Sequence, residues 1–391
     1  MPTSGLTGPD SRLANNHLVS IVIPAFNAER FISRTLQCAQ TQTYEHIEII
    51  IVDDGSTDRT WDIVSAAATA DSRIRVIRQP NQGVAAARNT AIAAARGHFI
   101  APLDADDLWH PENISKQVEV MKGGGDRLGV VYAWSCEIDE DDRSIHREAA
   151  RGSPQGSVYP WLIYSNFLSN ASSCLIRKQC LIEVGGYDVE LRKSGAQGCE
   201  DLQLSLAIAE RWNFGVVPEF LIGYRQTADG MSQQIWRMWR SFVLVMAKAR
   251  ERHPELPSRL FRWSKADLLF WLAVKCRRAG NMRDLPLLLG LALLHDPALP
   301  ARSSFWKFNK KRLASRWRWA AAEDDIPRKV TERPKFFDLP PRARAEDLPK
   351  GLMSRVDRQR QEFIKSITIN SWSGVEPLSN DAHGIGATGK V

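Results

Sequence analysis

The sequence predicts an α/β protein: a mixed, mostly parallel sheet with helices on both faces, followed by an α-helical C-terminal extension. Three observations predict it. Short β-branched runs alternate with helix-period segments from residue 17 to residue 121. Several of these runs end in a loop rich in Asp, Asn or Gly. After about residue 231 the composition shifts to Trp, Leu and Arg, and strand patterning stops. Alternation of the first kind implies parallel strands covered by helices on both faces.

The elements follow in order. HLVSIVIPAFN at 17–27 is a buried strand that ends at a Pro-containing loop. Ile32, Leu36 and Ala39 recur at i, i+4 and i+7, which gives a helix with one core face. Ile47 to Val52 is a second buried strand, and Asp53 to Asp58 is its exit loop. A helix follows through Trp61, Val64 and Ala68, then a strand over Ile74 to Ile77. Gly83 to Arg96 is an Ala-rich helix stopped by Gly97 as a C-cap residue. His98 to Leu103 is a fourth strand, ending in Asp104-Ala105-Asp106-Asp107. Pro111 suits the first turn of a helix that buries Ile114, Val118 and Met121. Beyond Val130 the pattern is mixed: strands over 130–136 and 172–177, an acidic turn at 139–142, a turn at Gly185 to Asp188, a helix from Glu200 to Trp212, and a closing strand or two over 214–224.

Bulk properties narrow the function. Residues 1–230 carry 21 Lys and Arg against 29 Asp and Glu, whereas residues 231–350 carry 26 against 12. Two halves of opposite charge suit two physical tasks, the basic one facing an anionic surface. Six scattered cysteines form no C-x-x-C pair, and no His stands at zinc-ligand spacing from them. They read as reduced thiols of a cytosolic protein, and His98 and His110 as structural or surface residues. The first 16 residues lack the basic and apolar regions of a secretory signal. The longest strongly apolar run, Leu285 to Leu294, is half of the roughly 20 residues a spanning helix needs, so no transmembrane segment is expected.

The chemistry begins with carboxylates at strand ends. In an open parallel sheet ligands bind beyond the carboxyl ends of the strands. Asn27, Asp53, Asp54 and Asp104 to Asp107 all lie there. Clustered carboxylates repel unless a cation or hydrogen bonds compensate. A hard divalent cation, held by one or two of them and by substrate phosphates, is one solution, and it serves reactions whose leaving group is a diphosphate. Solvated acidic turns are the plainer alternative.

Several segments together carry a resemblance. VSIVIPAFNAERFISRTLQCAQTQTYEHIEIIIVDDGSTDRT, NQGVAAARNTAIAAARGHFIAPLDADDLWHPENI, GGYD and GCED stand in the order and spacing of family 2 of the glycosyltransferases. The chain resembles that family from about Leu18 to Ser232. The resemblance implies a GT-A, Rossmann-like fold and inverting transfer from a nucleotide-diphosphate sugar, UDP-linked by expectation. It places Pro24, Ala25 and Asn27 in the nucleotide pocket, and Asp54, with Asp53 beside it, at the uracil edge. Asn81, Gly83, Arg88 and Asn89 match a segment near the donor, where Arg88 either contacts phosphates or pairs with a carboxylate. Asp104, Ala105 and Asp106 match the D-x-D, with Asp104 toward ribose or metal and Asp106 as ligand to Mg2+ or Mn2+. Asp107 positions the loop. Asp201 matches the catalytic base and Glu200 is the second candidate, although an acidic pair opening a helix also suits a cap. Trp109, Tyr187 and Asp188 are acceptor-side candidates, with packing or turn roles as alternatives.

The expected organisation is a flexible tail at 1–17, a catalytic domain at 18–234, a basic Trp-rich helical extension at 235–325, and an extended or disordered tail at 326–391. Eight of the 13 tryptophans lie after residue 231, interleaved with Arg and Lys. Such a helix suits the headgroup layer of an anionic membrane, and it equally suits packing on the catalytic domain. The expected partners are a nucleotide-sugar donor, a saccharide or lipid-linked saccharide acceptor, and the inner face of the cell membrane by peripheral contact. Nucleic acid is not expected. The expected role is polysaccharide or cell-surface glycan synthesis in the cytoplasm. A catalytically silent sugar-nucleotide-binding or scaffold protein on the same fold is the rival reading.

Overall fold

The computed structural model describes residues 17–147, 153–227, 230, 234–302, 305, 333–342 and 355–371. The N-terminal half alternates strand and helix: β1 (Val19–Ala25), α1 (Ile32–Gln40), β2 (Ile47–Asp53), α2 (Thr60–Ala70), β3 (Ile74–Arg78), α3 (Val84–Ala94), β4 (Phe99–Pro102), β5 (Leu108–Trp109) and α4 (Asn113–Gly123). Then come β6 (Leu128–Ile138), β7 (Ser144–Arg147), α5 (Tyr159–Tyr164), β8 (Cys174–Arg177), α6 (Lys178–Val184), α7 (Glu190–Lys193), α8 (Glu200–Ala209) and β9 (Asn213–Arg225). Helices α9 (Ile235–Arg252), α10 (Ser258–Arg278), α11 (Leu285–His295) and α12 (Arg355–Ser371) follow.

One sheet joins all nine strands in the order β3-β2-β1-β4-β8-β6-β9-β5, with β7 added on β6. β1 runs parallel to β2 and to β4, and β2 parallel to β3. Every residue of β1 and β2 is buried, which is why both read as apolar runs, interrupted only by Ser20, Glu48 and Asp53. The chain leaves β1 toward β2 on one side and later returns to its other side at β4. The loops after β1, β2 and β4 therefore open at one crevice. Antiparallel β8 then reverses direction, and β6 and β9 continue the sheet as a long parallel pair. Ile114, Val118 and Met121 of α4 are all buried, as their spacing predicts.

Two expectations change. Gly97 does not cap α3, because the helix ends at Ala94 and Ala95 is already extended. A Cβ on Gly97 would meet Ser20 Oγ at 2.6 Å and the Leu18 carbonyl at 2.7 Å. Glycine is there to let the chain pass against β1, not to turn. The tail beyond 326 is not uniformly extended. Within it, α12 is a helix with Ile364 fully buried, and residues 333–342 form a strap along β7 and β9. Short polar runs conceal such docking, because its energy comes from a few buried groups. Arg360 grips both oxygens of Asp296 at 2.8 and 2.7 Å, and Arg302 lies between Asp267 and Asp357, all but Asp267 buried. Charges held this way stay in the interior only as fully paired groups.

Helix α9 packs on α8, and α10 packs on α5 and α11, so the extension rests against the α/β body. No helix among the described residues is long and apolar enough to cross a membrane. All six cysteines are buried free thiols. The flexible tail expected at 1–17 lies outside the described residues apart from residue 17, as does the Arg-Trp run at 316–319.

Gly97→Ala should destabilise the fold by about 1–3 kcal/mol, because the new methyl has only main chain and Ser20 to displace. Urea unfolding followed by tryptophan fluorescence reads the loss, and an unchanged midpoint would show that β1 can move aside.

Candidate active site

The crevice is built loop by loop. Asn27 follows β1 with φ at 48°, a left-handed conformation that Asn tolerates better than most residues. Its main-chain N–H donates to Ser56 Oγ at 3.0 Å, and its side-chain oxygen accepts from Thr57 N at 2.9 Å. The loops after β1 and β2 are thereby tied. Pro24 and Ala25 lie buried at the end of β1, where they set the start of this loop.

Asp53 is fully buried, accepts from Ser56 N at 3.2 Å, and faces Arg78 Nε at 3.1 Å. Asp54 has a task that its strand-end position does not disclose. One oxygen accepts from Gln79 Nε2 at 2.7 Å and Gln82 N at 2.9 Å, and the other from Gly83 N at 2.7 Å. Three donors occupy most of the roughly four lone-pair sites of a carboxylate. Asp54 thus shapes the 79–83 loop first, and has little capacity left for a base edge. Gly83 has φ at 92°, and the Arg192 side chain lies 2.8 Å from where its Cβ would stand. Arg192 also donates to Asn81 Oδ1 at 2.6 Å.

Arg88, on α3, joins the two ends of the site. Its guanidinium bonds Asp104 at 2.6 Å and Asp201 at 2.5 Å. The Tyr187 ring lies under it at 5.0 Å. Burial alone would lower the Arg88 pKa, but Asp104 and Asp201 outweigh that and hold it well above its usual value. Of the two roles left open for Arg88, the carboxylate pair is the one formed here. Asn89, beside it, clamps the main chain of Tyr187 with both halves of its amide, each at 2.8 Å.

The loop after β4 is fixed from beneath. Asp107 is fully buried, bonded to Ser172 Oγ at 2.6 Å and to Arg225 N at 2.9 Å. Arg225 Nε donates to the Asp106 carbonyl at 2.6 Å, and Arg225 Nη2 reaches Asp142 at 2.5 Å. The Ala105 carbonyl accepts from Thr35 Oγ1 at 3.0 Å. Burial first, then the charge of Asp104, pushes the Asp106 carboxyl up to about 6. Burial likewise pushes Asp201 up to about 6, with Arg88 opposing and Asp104 adding to the rise.

Asp201 and Glu200 open α8 but face different ways. Asp201 meets Arg88 and a hollow lined by Asn166, Leu168, Asn170, Ala171, Tyr187 and Leu204. Glu200 is buried, accepts from Gly198 N at 2.7 Å, and borders a separate cleft with Gln82, Gly83 and Arg192. The three acceptor-side candidates make the packing and turn contacts given as alternatives. Trp109 is 1% exposed and its indole N–H donates to the Ser172 carbonyl, so neither ring face is open to a sugar. Tyr187 is also buried and supports Arg88, and it lines the hollow. Asp188 accepts from Gln203 Nε2 at 2.5 Å and Lys248 Nζ at 2.8 Å, which ties α8 and α9 together. Arg225 and Ser172 were not legible as site residues. The one available signal was an Arg closing the apolar strand LIGYR.

Asp104 and Asp106 suit a hard dication. Both offer oxygen, Asp104 is partly exposed, and the raised Asp106 pKa marks negative charge in need of compensation. Among the described residues no cluster of three His, Cys, Asp or Glu side chains stands ready for a metal. Two carboxylates would therefore need further oxygen ligands from a substrate or water.

Residues 20–183 match the family model described as Glycosyl transferase family 2. An uncharacterized glycosyltransferase of Nostoc sp. is 38% identical over 135 residues, 34% of this chain and 41% of that one. The UDP-Glc:alpha-D-GlcNAc-diphosphoundecaprenol beta-1,3-glucosyltransferase of Escherichia coli is 48% identical over 106 residues, 27% of this chain and 41% of that one. The chain thus spans about two fifths of the length of these relatives. A mannosyltransferase from Pyrobaculum calidifontis, solved with GDP-Man and Mn2+, superposes with a TM-score of 0.50 at 20% identity, over 76% of this chain and 80% of that one. That likeness is one of fold, and the fold is GT-A.

Arg88→Met keeps an unbranched apolar stem and removes the guanidinium with its charge. Two facing carboxylates then lose their shared cation, and stability should fall by about 3 kcal/mol. Urea unfolding at neutral pH measures this, and a shift below about 0.5 kcal/mol would show that water alone compensates the pair.

Proposed function

We propose, from a segment at residues 20–183 that belongs to glycosyl transferase family 2, that this chain is an inverting glycosyltransferase acting on a nucleotide-diphosphate sugar. The observation that carries the reading is the Arg88 bridge. It brings Asp104, at the end of one strand, within one guanidinium of Asp201, nearly a hundred residues later. On this reading the donor-side and acceptor-side carboxylates would stand close enough for a direct displacement.

The donor's nucleotide would lie over the Pro24–Asn27 loop and the Asp53–Thr57 loop, whose ties to each other give it a preformed floor. Asp104 and Asp106 would hold Mg2+ or Mn2+, which when bound supplies positive charge for the departing diphosphate. Asp201 would take the proton of the acceptor hydroxyl as that oxygen attacks the anomeric carbon from the face opposite the diphosphate. Its place in the first turn of α8 favours the ionised form, while burial raises its basicity. Arg88 would position Asp201 until the acceptor arrives. The hollow beside Asp201, with Asn166 and Asn170 among its walls, offers amide groups to sugar hydroxyls.

For the donor we favour a UDP-sugar, and for the acceptor a saccharide or lipid-linked saccharide. The Escherichia coli relative is named for UDP-Glc and a diphosphoundecaprenol-linked acceptor, and a Bacillus subtilis relative for teichuronic acid biosynthesis. Polysaccharide or cell-surface glycan synthesis at the cytoplasmic side of the membrane is the corresponding role.

Asp201→Asn should lower transfer by about 10^2–10^4-fold and leave nucleotide binding within a factor of two or so. Glu200→Gln should retain transfer within about tenfold, because its carboxylate faces Gly198 and the other cleft. The reverse ranking would exchange their roles. Isothermal calorimetry of Asp106→Ala with UDP should lose the Mn2+-dependent part of the affinity; wild-type affinity in that variant would remove Asp106 as a ligand. Purified protein incubated with Mn2+ and a panel of nucleotide sugars should hydrolyse a UDP-sugar fastest, and chelation should stop it. No turnover of any donor would favour a silent binding protein.

A further inference from the structure

Helix α11 has no polar side. Its sequence, LPLLLGLALLH, holds no charged residue before His295. Leu285, Leu288 and Ala292 bury one face, and α11 packs on α10. Leu287 and Leu294, two turns apart, stand on another face, with Leu291 between them partly buried against the core. Leu287 is 53% and Leu294 79% exposed, and Met282, just before the helix, is 60% exposed. A surface helix ordinarily turns charged residues to water, so an outward leucine stripe marks a contact.

Two further observations say what the contact is. The α10–α11 hairpin is basic: residues 258–295 hold seven Lys and Arg, of which Lys275 is buried and Arg278 pairs with Glu137, against two acids. Of those acids, Asp267 is consumed by Arg302, and Asp284 accepts from Asn281. Arg262 and Lys265 lie near the Leu294 end, where their charges add to burial in lowering the His295 pKa. Arg283 is exposed beside Met282. A second copy of this chain would bring the same positive charge against itself, whereas an anionic bilayer complements it. The position of the stripe is equally specific. His295 meets the Trp239 ring of α9 at 6.5 Å, and Trp236, one turn earlier, is 40% exposed. The start of α9 also rides on the loop before Asp201: Met238 covers Gly198 and Arg237 reaches Gln197.

We infer that the outward stripe of α11, with Trp236 and the basic side chains around it, is a docking surface for an anionic lipid bilayer, next to the loop that leads into Asp201. An eleven-residue helix is too short to span and suits lying in the headgroup layer, leucines inward and basic groups at the phosphates. Docked this way, the protein presents the Asp201 side of its site toward the membrane. That orientation serves an acceptor carried on lipid, and this last step rests on the transferase reading above; the docking does not.

The test uses the full chain and vesicles of phosphatidylcholine with phosphatidylglycerol, against phosphatidylcholine alone. Wild type should sediment with the anionic vesicles and stay in solution with the neutral ones. L287E/L294E should bind anionic vesicles at least about tenfold more weakly. M282E/L294E is run in parallel, so that a folding defect in one pair cannot imitate lost binding. Donor hydrolysis in solution is measured on the same samples and should stay unchanged, since none of these residues borders the crevice. Equal sedimentation of variants and wild type, no sedimentation of wild type, or a wild-type dimer that the substitutions dissolve would each overturn the docking surface. Absent donor hydrolysis in every sample, with vesicle binding retained, would instead count against the transferase reading and leave the docking surface standing.

Discussion

A nearly fully buried guanidinium shared between two carboxylates is what the rest of the site depends on. Arg88 is among the most expensive groups a protein can bury, and it remains buried because Asp104 and Asp201 supply two negative charges within 2.6 Å. The surroundings are arranged around that requirement. Asn89 fixes the Tyr187 backbone so that the aromatic face lies under Arg88. Ser172 holds Asp104 N at 3.0 Å and also bonds Asp107. α3 is an Ala-rich helix, which lets Arg88 approach the sheet closely enough to reach both partners.

A second arginine performs the same service one layer below. Arg225 closes β9, stacks on Phe31 at 4.7 Å, and joins the Asp106 carbonyl to Asp142. Asp142 is held in turn by Arg34 from α1 at 2.7 Å. The D-x-D loop is therefore clamped from above by a side chain of α3 and from below by one of β9. The main chain at Asp106 and the carboxylate of Asp104 are thereby held in place.

Much of this was legible in the sequence, for identifiable reasons. Strands β1, β2 and β4 are buried on both faces, so their residues are mostly apolar and could be read as such. The acidic loops stood out because charge at the end of an apolar run is rare. What escaped was set by tertiary contact. Trp109 looked like a sugar platform because it follows the acidic loop, yet it is committed to Ser172 in the interior. Gly97 looked like a helix cap because of where it falls, while its reason is the neighbouring strand. Asp54 reads as a free carboxylate until its three donors from residues 79–83 are placed around it. The docking of α12 depends on Asp296, Arg302 and Arg360, three residues that no local pattern connects.

The strap at 333–342 bears on the order in which a nascent chain can finish. Pro334 accepts from Ser144 N, the Arg333 carbonyl accepts from Arg143, and Phe336 N donates to the Asp142 carbonyl. The acidic turn that braces Arg225 is thus completed by residues synthesised nearly two hundred positions later. A ribosome delivers the strands of the sheet well before this brace. During translation the loop after β4 passes through a period in which the turn that braces it is only half assembled. The 333–342 strap is therefore a late-arriving part of the support of residues 104–107 and not an appendage to it.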